Sequence, residues 1–324
     1  MKRLTLCLLA ALLLAAMPLS AAQAKTFHVS VSQFVEHPAL DAVLAGFQKA
    51  LKDSGVEVEY SVHNAQAKIS TANQIAQAIA GEKPDLVLAI ATPSAQTCAQ
   101  VMKKVPHMAT TPLIFGAITD PQGAGLVKNI EKPGGYITGV SDKSPVGRHV
   151  DMIREFQPEL KTLGVVYNAG ETNSKTLVDM LRAACKERGL GLEEATVATS
   201  GDIYMAAKTL AGRVDAIYAP TDNTIISAIE SLVRVCRQNR MPLYAADVSS
   251  VERGAVAALG FDYFQHGVQA GQMAKRILAD GVLPADLPVE FQKELSLQIN
   301  LSSAKAMGLD VPEAMLKKAD KVLK

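Results

Sequence analysis

The sequence predicts an α/β protein made of two doubly wound, parallel-sheet lobes, and three observations carry that expectation. Short apolar runs alternate with amphipathic helical stretches, the pattern of a parallel sheet covered on both faces. The plan occurs twice in the same order, once before and once after Lys161. The 324 residues are enough for two domains of ordinary size.

In the first pass, a strand at Phe27-His28-Val29-Ser30-Val31 leads to a helical pattern from Pro38 to Lys52. A turn at Asp53-Ser54-Gly55 then opens an alternating strand, Val56 to Tyr60. A third strand, Pro84 to Ala91, runs into Thr92-Pro93-Ser94 and a helix. A fourth, Thr111 to Phe115, runs to Thr119-Asp120. The second pass begins with a strand from Thr162 to Tyr167, a helix from Ser174 to Glu187 and a turn at Arg188-Gly189. Its later strands are Leu190 to Leu192, Val214 to Pro220 before Thr221-Asp222-Asn223, and Met241 to Ala246 before Asp247.

Each pass closes with a strand and a long helix: Tyr136 to Ser141 then Val146 to Phe156, and Val256 to Gly260 then Phe264 to Ala279. These helices can pack on the opposite lobe, which would make several chain crossings at a hinge and favour rigid-body closure. A tail from Pro288 adds a strand at Leu295 to Asn300 and a helix from near Ser302. The expected division is 25–141 plus 263–285 for one lobe and 142–262 plus 286–324 for the other.

The N-terminus carries an export signal. Lys2 and Arg3 precede an apolar run from Leu4 to Ala16, too short to span a bilayer, and Ala22-Gln23-Ala24 supplies a cleavage site. Residues 1–24 are therefore expected to be removed before Lys25. Cys7 lies inside the apolar run after Leu6, so a soluble exported protein is expected rather than a lipoprotein. Losing Lys2 and Arg3 takes the formal charge from +1 to −1, and no run gathers charge of one sign, which argues against a nucleic-acid partner. Cys98, Cys185 and Cys236 remain. Cys185 and Cys236 could pair, but their helices should cover opposite faces of one sheet, which favours buried free thiols.

In doubly wound folds the ligand lies beyond the carboxyl ends of the strands. Those ends collect Thr, Ser, Asn and Asp here. Thr92, Ser94, Ala95 and Gln96 at a helix start can bind a carboxylate through hydroxyls and backbone N–H groups, although Thr92 suits simple capping equally well. Asn173 and Ser174, and Thr221, Asp222 and Asn223, stand at helix starts in the second pass; for Asp222 capping is the stronger reading. Asp247 and Asp262 follow apolar strands and can receive a ligand ammonium, with Asp120 in a similar place. His37, beside Glu36, opens a helix and could line the cleft, although capping or the surface is the stronger reading. No catalytic set emerges. Ser94 lacks a G-x-S-x-G elbow, the histidines show no metal spacing, and no G-x-G-x-x-G follows the first strand. No cofactor is expected.

Several stretches occur in a telling order: Val35 to Asp41, Ala91 to Gln96, Thr119-Asp120-Pro121 and Gly139-Val140-Ser141-Asp142. Thr221-Asp222-Asn223, Gly260-Phe261-Asp262-Tyr263 and Gln298-Ile299-Asn300-Leu301 continue it. In this the chain resembles the ABC-transporter substrate-binding family that includes tryptophan- and other aromatic amino-acid-binding proteins. The resemblance implies a type I periplasmic-binding fold whose lobes, joined by crossover strands, close on a ligand. It also implies a permease and an ATPase in the inner membrane as partners. By carry-over the loop from Thr92 to Gln96 would hold the ligand carboxylate and Asp247 its amino group. Phe34, Tyr204 and Tyr263 become candidates to pack on its side chain, and Glu36, Thr119, Asp120 and Ser141 join the candidate set. The expected function is a monomeric periplasmic receptor for an aromatic or branched amino acid. The alternatives are a sensor for a membrane kinase or chemoreceptor, and a sugar or nucleoside receptor, against which the lack of tryptophan argues.

Overall fold

Parallel strands buried on both faces should read as continuous apolar runs, and the central strands do. A computed structural model describes residues 25–324, so the expected signal peptide lies outside the described residues. The strands β1 (Phe27–Gln33), β2 (Val58–Asn64), β3 (Leu86–Ile90), β4 (Leu113–Ile118) and β5 (Ile137–Ser141) form the first sheet in the order 2-1-3-4-5. All its pairings are parallel. The second sheet repeats this order with β6 (Thr162–Asn168), β7 (Gly191–Val197), β8 (Ala216–Ala219), β9 (Leu243–Ala245) and β10 (Ala257–Gly260). The central strands β3 and β8 are buried throughout, whereas the edge strands β2 and β7 alternate with exposed residues.

In the first lobe the helices are α1 (Pro38–Asp53), α2 (Ile69–Glu82) and α3 (Thr92–Lys104). Then come α4 (Val146–Phe156), α5 (Thr172–Glu187), α6 (Ile203–Leu210), the short α7 (Asn223–Ser227), α8 (Ile229–Gln238) and α9 (Ser249–Glu252). Finally α10 (Tyr263–Leu278) precedes the short C-terminal helices α11 (Leu301–Ala306) and α12 (Glu313–Lys318). Their apolar stripes feed two separate cores, one per sheet.

The helix after each fifth strand does cross over. Val146, Val150, Ile153 and Phe156 of α4 lie in the second core, while Ala270, Met273 and Ala274 of α10 lie in the first. Each crossover helix carries a buried histidine at its fourth residue. His149 Nδ1 lies 2.7 Å from the Tyr218 hydroxyl on β8, and His266 Nε2 accepts the Ala117 N–H of β4 at 2.9 Å. Helix α10 lies directly on α1: a Cβ at Gly46 or Gly267 would collide with the Phe264 or Val43 carbonyl.

The tail departs from expectation at one point. Leu287 and Val289 sit in the first core, the Leu287 carbonyl accepts the Thr138 hydroxyl, and β11 (Glu290–Phe291) pairs in parallel with β5. Residues 286–291 thus belong with the first sheet rather than the second, because these apolar side chains fill its edge. The chain crosses a third time after Phe291. It then forms β12 (Ser296–Asn300), antiparallel to β10, and β13 (Lys321–Leu323) beside it. Cys98, Cys185 and Cys236 are buried free thiols.

Two outcomes follow. Gly267→Ala should lower unfolding free energy by about 1–3 kcal/mol in urea titrations, because α10 must lift off α1. Burial lowers the pKa of His149 to about 3 and of His266 to about 4, so between pH 6.5 and 4 the unfolded chain binds protons the native state refuses. Stability should therefore fall as pH drops through that window. A pH series of urea titrations should show the slope shallower in His149→Gln by up to about one proton.

Candidate functional site

The strands of both sheets end facing one cleft, and a cavity of about 340 Å3 lies there between the lobes. The first lobe contributes His37, Ala39, Leu40, Ala117 and Thr119. The second contributes Asn173, Thr221, Asp222, Asn223, Ile226 and Asp247. Asp142 and Tyr263, from two of the crossings, complete the wall.

Two strained backbone positions shape the first lobe's side. Ala91, after β3, and Ala117, at a register shift in β4, hold φ of 75° and 56°, a region that disfavours any residue with a Cβ. Ala91 occupies the N-cap position of α3 without capping it by a side chain, and its N–H donates to the Gly116 carbonyl at 3.0 Å. Thr92 is therefore the first helical residue and not the cap. Its hydroxyl and that of Ser94 are buried without a protein partner, beside the open N-terminus of a helix. Ala95 is buried next to them. Gln96 reaches across the cleft: its side-chain amide donates to the Ala124 carbonyl at 3.1 Å and to the Thr172 hydroxyl of α5 at 3.4 Å.

On the second lobe, Asn173 donates to the Thr221 carbonyl at 3.3 Å, while its own carbonyl oxygen and the Thr221 hydroxyl lack partners. Asp222 caps α7 by accepting the Ile225 N–H at 2.9 Å and also accepts the Asn168 N–H at 2.6 Å. Ser174 is buried, and its hydroxyl oxygen accepts the Asn173 side-chain amide at 3.4 Å. Asp247 is buried and accepts the Ser249 and Ser250 hydroxyls at 2.6 and 3.0 Å.

Some expected residues lie elsewhere. Glu36 is exposed, and it is its neighbour His37 that turns inward. Asp120 accepts the Gly123 N–H of its own loop. Asp262 is exposed and caps α10 through the Phe264 and Gln265 N–H groups, so it leaves the ligand set. Ser141 is buried just behind Thr119, whose carbonyl accepts its hydroxyl at 3.3 Å. Of the three aromatic candidates only Tyr263 lines the cavity. Tyr204 lies on the outer face against Gln238 and Arg234, and Phe34 is a core residue beside a second interlobe groove.

Two polar residues at the site, Asp142 and Glu171, stand outside the expected set, and His37, for which the sequence favours capping or the surface, lines the cavity. Burial pulls the pKa of His37 down to about 4, so it is neutral at pH 7 although Asp247 lies near it. Asp142 accepts the Tyr263 hydroxyl at 2.8 Å on one carboxylate oxygen and leaves the other unpartnered; burial raises its pKa to about 6. It follows an apolar strand as Asp247 does, and that same signal could have found it. Glu171 stands just behind the wall and accepts from Asn223 at 2.6 Å and the Thr224 hydroxyl at 2.8 Å. Burial, then the charge of Asp222, raises its pKa to about 7. Nothing in its sequence context marks it.

The wall thus combines acidic acceptors with an apolar stretch of Ala39, Leu40, Ala117, Ile226 and Tyr263, and the Thr92 and Ser94 hydroxyls are buried outside that lining at the start of α3. Among the described residues no cluster of His, Cys, Asp and Glu is placed to hold a metal ion.

The family model described as ABC transporter substrate binding protein matches residues 28–323. A curated tyrosine-binding protein of Clostridioides difficile is 37% identical over 289 residues, 88% of this chain and 82% of that protein. A solved ABC domain from Streptococcus pneumoniae in complex with L-Trp is 35% identical, with a TM-score of 0.87 covering 92% of this chain and all of that one. A ligand-free, open substrate-binding protein from Clostridium difficile is 34% identical with a TM-score of 0.68, covering 92% of this chain and 99% of that one. With two repeated lobes of the type I periplasmic-binding fold around one cleft, the chain belongs to the ABC transporter substrate-binding protein family.

Proposed function

We propose that this chain is the periplasmic receptor of an ABC importer for an aromatic amino acid, tyrosine or tryptophan, and that its two lobes close on the ligand as a monomer. One observation carries the reading. Buried polar atoms without protein partners line the cavity from both lobes and the hinge, on His37, Asp142, Asn173 and Thr221, and the Thr92 and Ser94 hydroxyls at the start of α3 are buried and unpartnered as well. Native proteins pair nearly all such atoms, so a concentration of them at one cleft marks where a polar molecule binds. An α-amino acid suits the set. Its carboxylate matches the Thr92 and Ser94 hydroxyls at the N-terminus of α3, and its ammonium matches Asp247 and Asp142. Its apolar ring matches Leu40, Ile226 and Tyr263.

Two comparisons support this ligand class and the closed arrangement. The relatives' printed ligands are tyrosine and tryptophan. At nearly equal identity the chain superposes better on the tryptophan complex than on the open, ligand-free structure, as expected when its lobes stand closed. The leader pattern over residues 1–24 supports the periplasm, and the family supplies a permease and an ATPase as partners.

Thermal unfolding of protein first stripped of ligand should show a midpoint that rises with L-tyrosine or L-tryptophan and not with sugars or nucleosides. A rise with sugars alone would sink the ligand assignment. Isothermal titration should then find Asp247→Asn and the Thr92→Ala, Ser94→Ala double variant weakened by about tenfold or more, the scale of a lost charge-assisted hydrogen bond. Intact-mass analysis of the exported protein should give an N-terminus at Lys25; a retained leader would overturn the localisation.

A further inference from the structure

The two crossover helices are built alike around a histidine that ligand contact does not explain. His149 and His266 are each the fourth residue of the helix that follows a fifth strand, and both are buried. Each ring uses one nitrogen, His149 Nδ1 toward Tyr218 and His266 Nε2 toward Ala117, and buries the other without a protein partner. The pair therefore relates the two crossings by the internal repeat. Neither ring lines the ligand cavity, but one bonds its wall. His266 Nε2 accepts the N–H of Ala117, the left-handed residue in the cavity wall, whereas His149 meets Tyr218 inside the second core.

The surroundings of His266 join every crossing to that wall. Its ring packs 5.9 Å from Tyr263, whose hydroxyl bonds Asp142 in the first crossing. Gln292 of the third crossing donates to the Asp262 carbonyl in the second at 3.0 Å, and its buried side-chain oxygen, like His266 Nδ1, has no protein partner. We infer that His266 is a positioning residue for ligand binding: as a neutral Nδ1-protonated ring it holds the strained Ala117 turn in its binding geometry and ties that turn to the three lobe crossings. His149 is its repeat counterpart, with a stabilising role and no part in affinity. The inference rests on the reading of the cleft cavity as the ligand site.

An unprotonated Nε2 is required, because only a lone pair can accept the Ala117 N–H. Loss of that acceptor leaves a buried backbone N–H unpaired and frees a residue whose left-handed conformation is unfavourable on its own. Glutamine keeps an acceptor oxygen at this position, and leucine keeps only bulk.

The test compares His266→Leu, His266→Gln, His149→Leu and the unaltered protein. Isothermal titration with L-tyrosine and L-tryptophan is combined with histidine nitrogen chemical shifts and hydrogen exchange of the Ala117 amide. Expected are a Kd raised by about tenfold or more in His266→Leu, a change within about threefold in His266→Gln, and an unchanged Kd in a destabilised His149→Leu. The nitrogen shifts should report Nδ1 protonated on His266 at neutral pH, and exchange at Ala117 should speed up in His266→Leu. A folded His266→Leu that binds like the unaltered protein overturns the inference, as does His149→Leu weakening binding equally. Should His266→Leu not fold, the glutamine variant and the nitrogen shifts decide: a protonated Nε2, or a tenfold loss in His266→Gln, overturns it. If the unaltered protein binds neither amino acid, the ligand assignment fails first. The tautomer and the Ala117 exchange then judge the positioning role by themselves.

Discussion

Parallel pairing makes every strand of a sheet end on the same side, and the remaining features of this protein depend on that constraint. All five principal strands of each lobe run into the cleft, so the loops and helix starts that follow them gather at one edge. Two such edges facing each other bury polar residues that a single lobe would leave in water. Asn173 and Thr221 on one side and His37 on the other carry buried polar atoms without protein partners in the cavity between the lobes. Each unpaired buried group costs about 1–3 kcal/mol, so closure without a polar occupant is opposed and closure around one is favoured. Ligand recognition and lobe movement are thereby the same event.

The hinge is more tightly tied than three bare crossings would be. Tyr263 joins the second crossing to the first through Asp142, and Gln292 joins the third to the second through the Asp262 carbonyl. Helices α1 and α10 meet at backbone contact through Gly46 and Gly267, which fixes one crossover helix to the first lobe. His149 similarly pins α4 to the second sheet through Tyr218. The segments left between these ties are the three short crossings, after Ser141, after Gly260 and after Phe291, the kind of connection that rigid-body closure uses. Asp142 and Tyr263 belong at once to those segments and to the cavity wall, so a ligand touching them touches the hinge itself.

The cavity's charge is set by carboxylates, since its histidine stays neutral. Burial lowers the pKa of His37 and raises that of Asp142, moving both toward their uncharged forms. A ligand ammonium reverses the balance for Asp142, because an opposite charge nearby restores the carboxylate. The N-terminus of α3, where no side chain caps the first turn, is a pole of the opposite sign. A neutral sugar would leave both poles unanswered.

Most of the architecture was legible because apolar periodicity and strand-end chemistry are local properties, and the internal repeat doubled each signal. The alternation around Val29, Leu88, Val165 and Ile217 announced two parallel sheets, and the polar residues after β3, β8 and β9 announced the cleft. The two-residue strand β11 escaped because so short a run has no period. Facing could not be read either. Glu36 and His37 are neighbours in sequence, yet the helix start turns one outward and the other into the cavity. Asp247 and Asp262 both follow apolar strands, and only packing makes one a buried wall residue and the other an exposed cap. The sequence by itself determined the order of elements, the two lobes and the edge on which ligands meet them. Tertiary structure alone decided which side chains on that edge lose water, because burial depends on the approach of the opposite lobe.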